Sequence, residues 1–168
     1  MNYLESIKHK IVTLDNAVSK VAQWRKESCK VVFTNGCFDL LHLGHIEYLS
    51  KAASYGDFLV IGLNTDASVS HIKGKTRPIN DEKSRAMVLA SLAFVSLVVL
   101  FSEETPYKLI KTLQPDVLIK GADYKAEEIV GYDVVTSRGG SVLTIELVSG
   151  YSTSAIEKRI VDAHMSQL

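Results

Sequence analysis

Residues 32–45 read VFTNGCFDLLHLGH and specify the architecture of this chain. The segment opens on an apolar run that is typical of a strand buried on both faces of a sheet. Gly36 then permits a tight turn, and apolar residues at helical spacing follow from about His42 to Tyr55. The pattern predicts a strand, a turn and a helix, with the polar side chains concentrated in the turn.

The same alternation of strand and helix recurs along the chain. Further apolar runs predict strands, and amphipathic segments between them predict helices, the last of which opens at Ser152 or Thr153. Alternating elements predict an α/β fold with a Rossmann-like, doubly wound parallel sheet of five strands. The predicted strands are residues 30–34, 58–63, 95–101, 117–119 and 142–147.

Length and composition favour one globular domain. The chain has 168 residues, of which 46% are hydrophobic and 23% are charged. Residues 1–28 are predicted to form an N-terminal helical extension, and residues 29–168 the main domain. The formal net charge is zero, which argues against a nucleic-acid partner. The sequence shows neither a signal peptide nor an apolar run long enough to span a membrane, so a cytoplasmic protein without membrane contact is expected.

Two histidines mark the start of the helix that follows the first predicted strand. His42 and His45 lie three residues apart and project from one side of that helix. Gly44 between them has no side chain, which leaves room for a bulky group. A helix N-terminus also carries unpaired N–H groups and partial positive charge. Together these features predict a phosphate-binding site.

Other interpretations of these nucleotide-like patterns are weaker. A histidine pair could form half of a metal site, but no third ligand accompanies it and the pattern HExxH is absent. Gly74-Lys75-Thr76 ends like a P-loop, yet Val69 stands where a P-loop has its first glycine. The first strand is not followed by GxGxxG, which argues against a dinucleotide-binding fingerprint.

Polar residues also follow the second predicted strand. Asn64 and Asp66 lie at the edge of the sheet where ligands bind in α/β folds. Asp66 would orient substrate hydroxyls, help to hold a metal ion, or simply cap the next segment. Residues 71–78 carry three cations in five residues and predict a flexible basic loop, which either clamps phosphates or is simply solvated. Arg85, on the following helix, is interpreted as a surface charge.

Three hydroxyl groups open the last predicted helix. Ser152, Thr153 and Ser154 combine side-chain donors with the free N–H groups of a helix start. This arrangement suits a second anion site, here for the outer phosphates of a nucleotide, or an ordinary helix cap.

The motif Gly36-Cys37-Phe38-Asp39, followed by His42-Leu43-Gly44-His45, resembles the signature of the nucleotidyltransferase, or cytidylyltransferase-like, superfamily. The longer string from Val32 to Asp39 is similar to the adenylyltransferase domains of ADP-heptose synthases. Four later strings are similar to the same domains: Gly62-Leu63-Asn64-Thr65-Asp66, Ile119-Lys120-Gly121-Ala122-Asp123-Tyr124, Glu128-Ile129-Val130-Gly131-Tyr132-Asp133 and Gly150-Tyr151-Ser152-Thr153-Ser154. The resemblance covers about residues 12 to 162 and implies the strand order 3-2-1-4-5.

This resemblance also implies roles for individual residues. Catalysis is implied for His42, His45 and Lys75, with Lys73 as the alternative main clamp on the phosphates. Nucleotide contacts are implied for Asn35, Gly36, Cys37, Phe38, Gly44, Lys73, Gly121, Asp123, Ser152, Thr153 and Ser154. Substrate contacts are implied for Asp39, Asn64 and Asp66, and no side chain is assigned as a metal ligand.

The implied reaction transfers AMP from ATP to D-glycero-β-D-manno-heptose 1-phosphate. Its products are pyrophosphate and ADP-heptose, the latter for lipopolysaccharide core synthesis. The expected partners are ATP and a sugar 1-phosphate, and Mg²⁺ is expected to be bound mainly through the ATP phosphates. The chain shows no sugar-kinase half like that of the fused enzymes, which implies a functional link to a separate heptose kinase. A homodimer is expected from base rates alone.

Two alternatives keep the fold and change the function. The first is a cytidylyltransferase acting on glycerol phosphate or ethanolamine phosphate, although the glycerol-phosphate enzymes carry arginines where Ala93 and Leu147 stand here. The second is a non-catalytic nucleotide-binding module, which would bind ATP and release no pyrophosphate.

Overall fold

The computed structural model of this protein describes residues 2–122 and 125–166. The strands in these ranges are β1 (Ile11–Val12), β2 (Val31–Gly36), β3 (Phe58–Asn64), β4 (Leu97–Phe101), β5 (Val117–Gly121) and β6 (Ser141–Ile145). The α-helices are α1 (Tyr3–Lys8), α2 (Leu14–Lys26), α3 (Leu43–Ala53), α4 (Asp66–Lys73), α5 (Glu82–Ser91), α6 (Tyr107–Leu113), α7 (Tyr132–Thr136) and α8 (Thr153–Met165). A short 3-10 helix spans Ala126–Glu128. None of the helices described is both long and apolar enough to cross a membrane.

All six strands run parallel in one sheet, in the order β1-β4-β3-β2-β5-β6. The predicted α/β class is therefore confirmed. The chain builds outward from β2 through β3 to β4, and then returns to the other side of β2 to add β5 and β6. The order reverses between β2 and β5, and ligands of such sheets bind beyond the carboxyl ends of the strands at this point.

The sheet has one strand more than the five predicted. β1 pairs with β4, with Ile11 beside Val98 and Val12 beside Val99. The first 28 residues therefore add a strand to the sheet and are not helical throughout. A strand of two residues has no detectable periodicity, which is why the sequence pattern did not reveal it. Without β1, the order β4-β3-β2-β5-β6 matches the predicted one.

Both faces of the central strands are buried, as their apolar runs predicted. One face of the sheet packs against α3 and α5, and the other against α2, α6 and α7. The first layer includes Val32, Leu59 and Ile61 from the sheet with Leu49 and Leu89 from the helices, and the second includes Phe33 and Val60 with Val21, Ile110 and Val135. These two layers fix the strands, and so fix the loops at their carboxyl ends.

The opposite end of the sheet carries the single tryptophan of the chain. Trp24, on α2, stacks face to face on Phe58 at the start of β3, with ring centroids 3.9 Å apart. The stack anchors the end of α2 beside the amino end of the strands.

Candidate active site

Two adjoining clefts lie where β2 and β5 end. The first is lined by Asn35, Gly36, Cys37, Phe38, Asp39, His45, Tyr48, Lys73, Lys120, Gly121, Leu147 and Thr153. The second is lined by His42, Gly44, His45, Lys73, Leu147, Val148, Tyr151, Ser152, Thr153 and Ser154. His45, Lys73, Leu147 and Thr153 line both. The fold therefore brings most of the predicted site residues to one place, at the switch point of the sheet.

The two histidines form a stacked pair at the junction of these clefts. The ring centroids of His42 and His45 are 3.8 Å apart, with an angle of 25° between the planes. The Nδ1 atoms of both rings are buried and have no hydrogen-bond partner within residues 2–122 and 125–166. His42 also occupies the N-cap of α3, and its side chain makes no capping hydrogen bond. Buried polar atoms are normally paired, so two unpaired nitrogens beside the uncapped start of α3 mark this place as a candidate binding site.

Gly44 makes this close arrangement sterically possible. A Cβ atom at this position would lie 3.1 Å from Nδ1 of His42 and 3.4 Å from Cβ of Tyr151. Any larger residue would displace the imidazole or the segment that leads into α8. The absence of a side chain thus lets the start of α3 and the start of α8 face each other across the second cleft.

The electrostatics of the pair favour neutral imidazoles in the absence of a ligand. Burial is the main cause that lowers the pKa of His45 from 6.5 to about 4; the neighbouring His42 and Lys73 act in the same direction, and a hydrogen bond with the backbone of Leu40 opposes them. Burial also lowers the pKa of His42. An incoming polyanion would reverse this balance, because negative charge favours the protonated form.

The low pKa of His45 predicts a stability that falls on acidification. Between pH 6.5 and about 4, the unfolded chain binds a proton at His45 that the folded protein does not bind. The free energy of unfolding should therefore decrease as the pH falls through this window. Urea unfolding at pH 7 and pH 5 measures the effect, and His45→Gln should show a smaller decrease than the wild type. His9→Gln, at an exposed position on the N-terminal segment, is the control. An equal decrease in all three proteins would contradict the prediction.

Cationic and polar groups complete the walls of the clefts. Lys73 lines both of them, and Nζ of Lys120 lies 3.4 Å from the carbonyl oxygen of Asn35. The side-chain oxygen of Asn35 is buried and has no partner. On the opposite wall, Ser152 caps α8, and its hydroxyl oxygen accepts a hydrogen bond from the backbone N–H of Ala155 at 3.1 Å. The site thus combines ammonium groups, imidazoles and a helix N-terminus around a space suited to anions.

The basic segment 71–78 differs from the predicted flexible loop. α4 begins after its cap, Thr65, and continues to Lys73, where Gly74 ends the helix with a φ of 98°. The loop prediction is therefore wrong for residues 71–73, because the helix continues through them. Both lysines are exposed, but Lys73, in the last turn of the helix, lines both clefts, whereas Lys75 lines neither. The role predicted for Lys75 stays a prediction.

The three predicted substrate-binding residues already have partners within the protein. The Asp39 carboxylate accepts a hydrogen bond from Arg77 at 2.8 Å and others from backbone N–H groups. Nδ2 of Asn64 donates to Ser68 at 2.9 Å, and Asp66 pairs with Arg85 at 2.7 Å. Asp39 lines the first cleft, and Asn64 and Asp66 line neither. The structure thus gives all three an internal role, and a direct contact with substrate stays a prediction.

Arg85 was interpreted as a surface charge, and this was wrong. It is only 2% exposed, because four oxygen atoms surround its guanidinium group. These acceptors are the carbonyls of Cys37 at 2.6 Å, Asn64 at 2.8 Å and Asn80 at 3.0 Å, together with the carboxylate of Asp66 at 2.7 Å. Arg85 therefore ties the loop after β2 to the end of β3 and to the start of α5.

Two residues that line the first cleft were missed. Lys120 is the last residue but one of β5, at the carboxyl edge of the sheet, and this position is the criterion that selected Asn64. Tyr48 follows His45 by one helical turn, and its hydroxyl contacts Thr34 at 2.8 Å and donates to the Ile119 carbonyl at 3.1 Å. Both signals were present in the sequence. Asp123, predicted to contact the nucleotide, lies outside the described residues.

Metal binding by side chains alone finds no support in the part of the chain that the structure describes. No three His, Cys, Asp or Glu side chains there are grouped so that they could hold an ion. Asp39, which lines the first cleft, and Asp66, which follows β3, are both paired with arginines. This donor set fits a metal ion that is held mainly by the phosphates of a bound nucleotide.

A parallel α/β sheet with a stacked histidine pair at its switch point and a helix N-terminus opposite is an arrangement suited to binding the phosphates of a nucleotide. Residues 33–159 match the family described as Cytidylyltransferase-like. The match covers most of the chain, and the chain belongs to this family.

Curated relatives are similar over nearly the whole chain. The Bifunctional protein HldE of Azorhizobium caulinodans is 53% identical over 146 residues, which are 87% of this chain and 30% of the relative. The protein of the same name from Campylobacter curvus is 54% identical over 155 residues, which are 92% of this chain and 32% of the relative. The chain thus spans about a third of the length of these relatives.

Solved structures share the fold. The lipopolysaccharide core biosynthesis protein from Thermoplasma volcanium GSS1 is 31% identical, with a TM-score of 0.57 over 74% of this chain and 99% of that one. A pantoate-β-alanine ligase from Francisella tularensis, in complex with β-γ ATP and β-alanine, is 18% identical with a TM-score of 0.61 over 88% of this chain and 75% of that one. At 18% identity, the similarity to the pantoate-β-alanine ligase shows a shared fold alone.

Proposed function

We propose that this protein transfers AMP from ATP to D-glycero-β-D-manno-heptose 1-phosphate, giving ADP-heptose and pyrophosphate. The observation that carries the proposal is the histidine pair at the junction of two clefts lined by cations and hydroxyls, since its buried Nδ1 atoms lack hydrogen-bond partners among the described residues. The identity of the sugar rests on the similarity to the Bifunctional protein HldE and to the lipopolysaccharide core biosynthesis protein.

The proposed nucleophile needs no strong base. A phosphate monoester has a second pKa of about 6, so the sugar phosphate is already a dianion at neutral pH. Its oxygen attacks the α-phosphorus of ATP, a new P–O bond forms, and the bond to the bridging oxygen of the β-phosphate breaks. That electron pair leaves with pyrophosphate. The reaction therefore depends on bringing two polyanions together in line and on stabilising the charge that moves.

The protein groups suit this electrostatic task. His42 and His45 would donate hydrogen bonds to oxygens near the reacting phosphorus, and their low pKa values would rise beside the triphosphate. Lys73 and the first turn of α8 would hold the outer phosphates that leave. Donors fixed before the reaction cost no reorganisation during it, which is the main source of rate enhancement in such sites.

Mg²⁺ would accompany the ATP phosphates. It would neutralise part of the phosphate charge. Mg²⁺ usually keeps several water ligands and binds the phosphates of the substrate, and it is seldom enclosed by protein ligands alone. The chain's own contribution is the cleft surface described above, with the cations Lys73 and Lys120 and the imidazoles of His42 and His45.

Leu147 supports transfer of AMP over transfer of CMP. It lines both clefts, is 57% exposed, and stands where the similar glycerol-phosphate cytidylyltransferases carry an arginine. Replacement of an arginine by leucine removes a planar donor that suits phosphate. The proposed reaction would take place in the cytoplasm, where ATP is available, and a sugar kinase would supply the sugar phosphate.

The decisive assay incubates the protein with ATP, Mg²⁺ and heptose 1-phosphate, and measures both pyrophosphate release and product mass. The expected product is ADP-heptose. Preference for CTP with glycerol phosphate would favour the cytidylyltransferase instead. ATP binding without pyrophosphate release, with any sugar phosphate, would indicate a non-catalytic binding module.

The two lysines of the basic segment should differ in their effect on ATP. Lys73→Ala should raise the KM for ATP by about tenfold, because its ammonium group reaches both clefts and a charge-assisted hydrogen bond contributes about 1.5–3 kcal/mol. Lys75→Ala is the matched control, since it removes the same charge from an exposed position two residues away. Steady-state kinetics with varied ATP measures both. A larger effect of Lys75→Ala would reverse the assignment and restore Lys75 as the clamp.

A further inference from the structure

α8 is attached to the rest of the protein by few contacts. None of its 13 residues is buried, and the side chains of Ile160, Val161 and Met165 are 62%, 58% and 65% exposed. A helix of this length is only marginally stable in water by itself, so contacts near its first turn have to fix its position. That position matters because Ser152, Thr153 and Ser154 form one wall of the second cleft.

Glu157 supplies the polar connection between α8 and the remaining elements. Its Oε2 atom pairs with Nη2 of Arg77, and the two side chains are 31% and 16% exposed. Within residues 2–122 and 125–166, no other side chain of α8 forms a hydrogen bond with another element. The side chains of the two capping residues, Ser152 and Ser166, bond only to the backbone of the helix itself. The orientation of α8 therefore depends on where Arg77 is held.

Arg77 is in turn fixed by the loop after β2. Its Nη1 atom donates to Oδ2 of Asp39 at 2.8 Å, and its carbonyl oxygen accepts from the hydroxyl of Ser70 on α4. Asp39 is 2% exposed, and its other oxygen accepts the backbone N–H groups of Ile79 at 2.8 Å and Asn80 at 3.0 Å. Burial by itself would raise the pKa of this carboxyl, but the hydrogen bonds from Asn80, Arg77 and Ile79 lower it below its ordinary value. The carboxylate thus remains charged at neutral pH.

We propose that Arg77 and Glu157 are positioning residues of the triphosphate site, and that their ion pair holds the first turn of α8 opposite His42 and His45. The inference rests on the proposed function, because it assigns the wall formed by α8 to ATP. Neither side chain lines either cleft, so both act through α8 and not by touching the nucleotide. Arg77 joins three segments that surround the site: the loop after β2, the basic segment after α4, and α8.

The sign of the expected effect separates positioning from simple electrostatics. Glu157 is an anion close to a site for a polyanion, so removal of its charge should by Coulomb's law alone tighten ATP binding. Loss of a positioning contact should weaken it instead. A Glu157 variant with weaker ATP binding is therefore explained by the position of α8 and not by the change in charge.

The test measures the Kd of ATP with Mg²⁺ by calorimetry for the wild type, Glu157→Ala and Glu157→Gln. Glu157→Ala should raise Kd by about tenfold, the effect of a lost hydrogen bond between charged groups. Asp162→Ala removes the same charge from an exposed position on the same helix and should stay within twofold of the wild type. Hydrogen exchange without nucleotide should show faster exchange of the α8 amides in Glu157→Ala. Glu157→Gln, which keeps an acceptor, should lie between the wild type and Glu157→Ala.

One result would contradict the positioning role of the ion pair, and another would contradict the proposed function. If Glu157→Ala binds ATP as tightly as the wild type, or its α8 amides exchange at the wild-type rate, the positioning role is wrong. If the wild type itself does not bind ATP, the proposed function fails, and the exchange rates still decide whether the ion pair fixes α8.

Discussion

Replacement of His45 by alanine is expected to lower the turnover number by a factor on the order of 10²–10³, the usual cost of losing one transition-state donor. The ring lines both clefts, and its buried Nδ1 atom has no hydrogen-bond partner in the described part of the chain. His42→Ala should act similarly, because the two rings are stacked at 3.8 Å and approach the same space. The loss should fall mainly on kcat, since a donor to the developing charge acts more strongly in the transition state than in the ground state.

The control for the histidine variants is His9→Ala. His9 is exposed on the N-terminal segment, so this change removes an imidazole without reaching the clefts. Thermal unfolding of each variant shows whether the fold is retained. Turnover close to the wild type in both His42→Ala and His45→Ala would remove the histidine pair from the mechanism and leave the assignment of the site without its main support.

Arg85→Met is expected to give the largest loss of stability among single changes near the site, about 3–5 kcal/mol. The guanidinium group is 2% exposed and donates to the carbonyls of Cys37, Asn64 and Asn80. Methionine fills much of the volume but leaves these acceptors without donors, and Asp66 without its cation. Since domains are stable by about 5–15 kcal/mol, the variant should unfold at much lower urea concentration.

Arg85→Lys distinguishes charge from geometry. A lysine keeps the positive charge but cannot place rigid donors toward several acceptors at once, so its stability should lie between those of the wild type and Arg85→Met. Lys83→Met, at an exposed position on the same helix, is the control and should change little. If Arg85→Met unfolds within about 1 kcal/mol of the wild type, the loop after β2 is held by contacts other than Arg85.

The sequence predicted the features that depend on local pattern. The apolar runs identified the five longer strands, because a strand buried on both faces has a continuous hydrophobic signal. The histidine pair, Gly44 and the start of α3 could be recognised because they follow a strand directly. The hydroxyls of α8 could be recognised because serine and threonine commonly cap helices, and Ser152, one of the two predicted caps, does cap α8. These signals lie within a few residues of one another and need no knowledge of tertiary contacts.

The features that were missed depend on distant parts of the chain. Arg85 looks like any charged residue on a helix, and it is buried only because three separate segments bring their oxygens around it. β1 is too short for a pattern and exists because β4 offers it a free edge. The role of Asp39 depends on Arg77, 38 residues later. Lys73 was assigned to a loop because its charge suggested solvent, although α4 extends through it.

The stacking of Trp24 on Phe58 determines what intrinsic fluorescence can report. The stack lies at the amino end of β3, and the clefts lie beyond the carboxyl end of the sheet, a strand of seven residues or about 20 Å away. Emission from the sole tryptophan will therefore follow the loss of tertiary structure during unfolding and will respond little to an occupied cleft. Titrations of nucleotide call for an extrinsic chromophore, such as a labelled ATP.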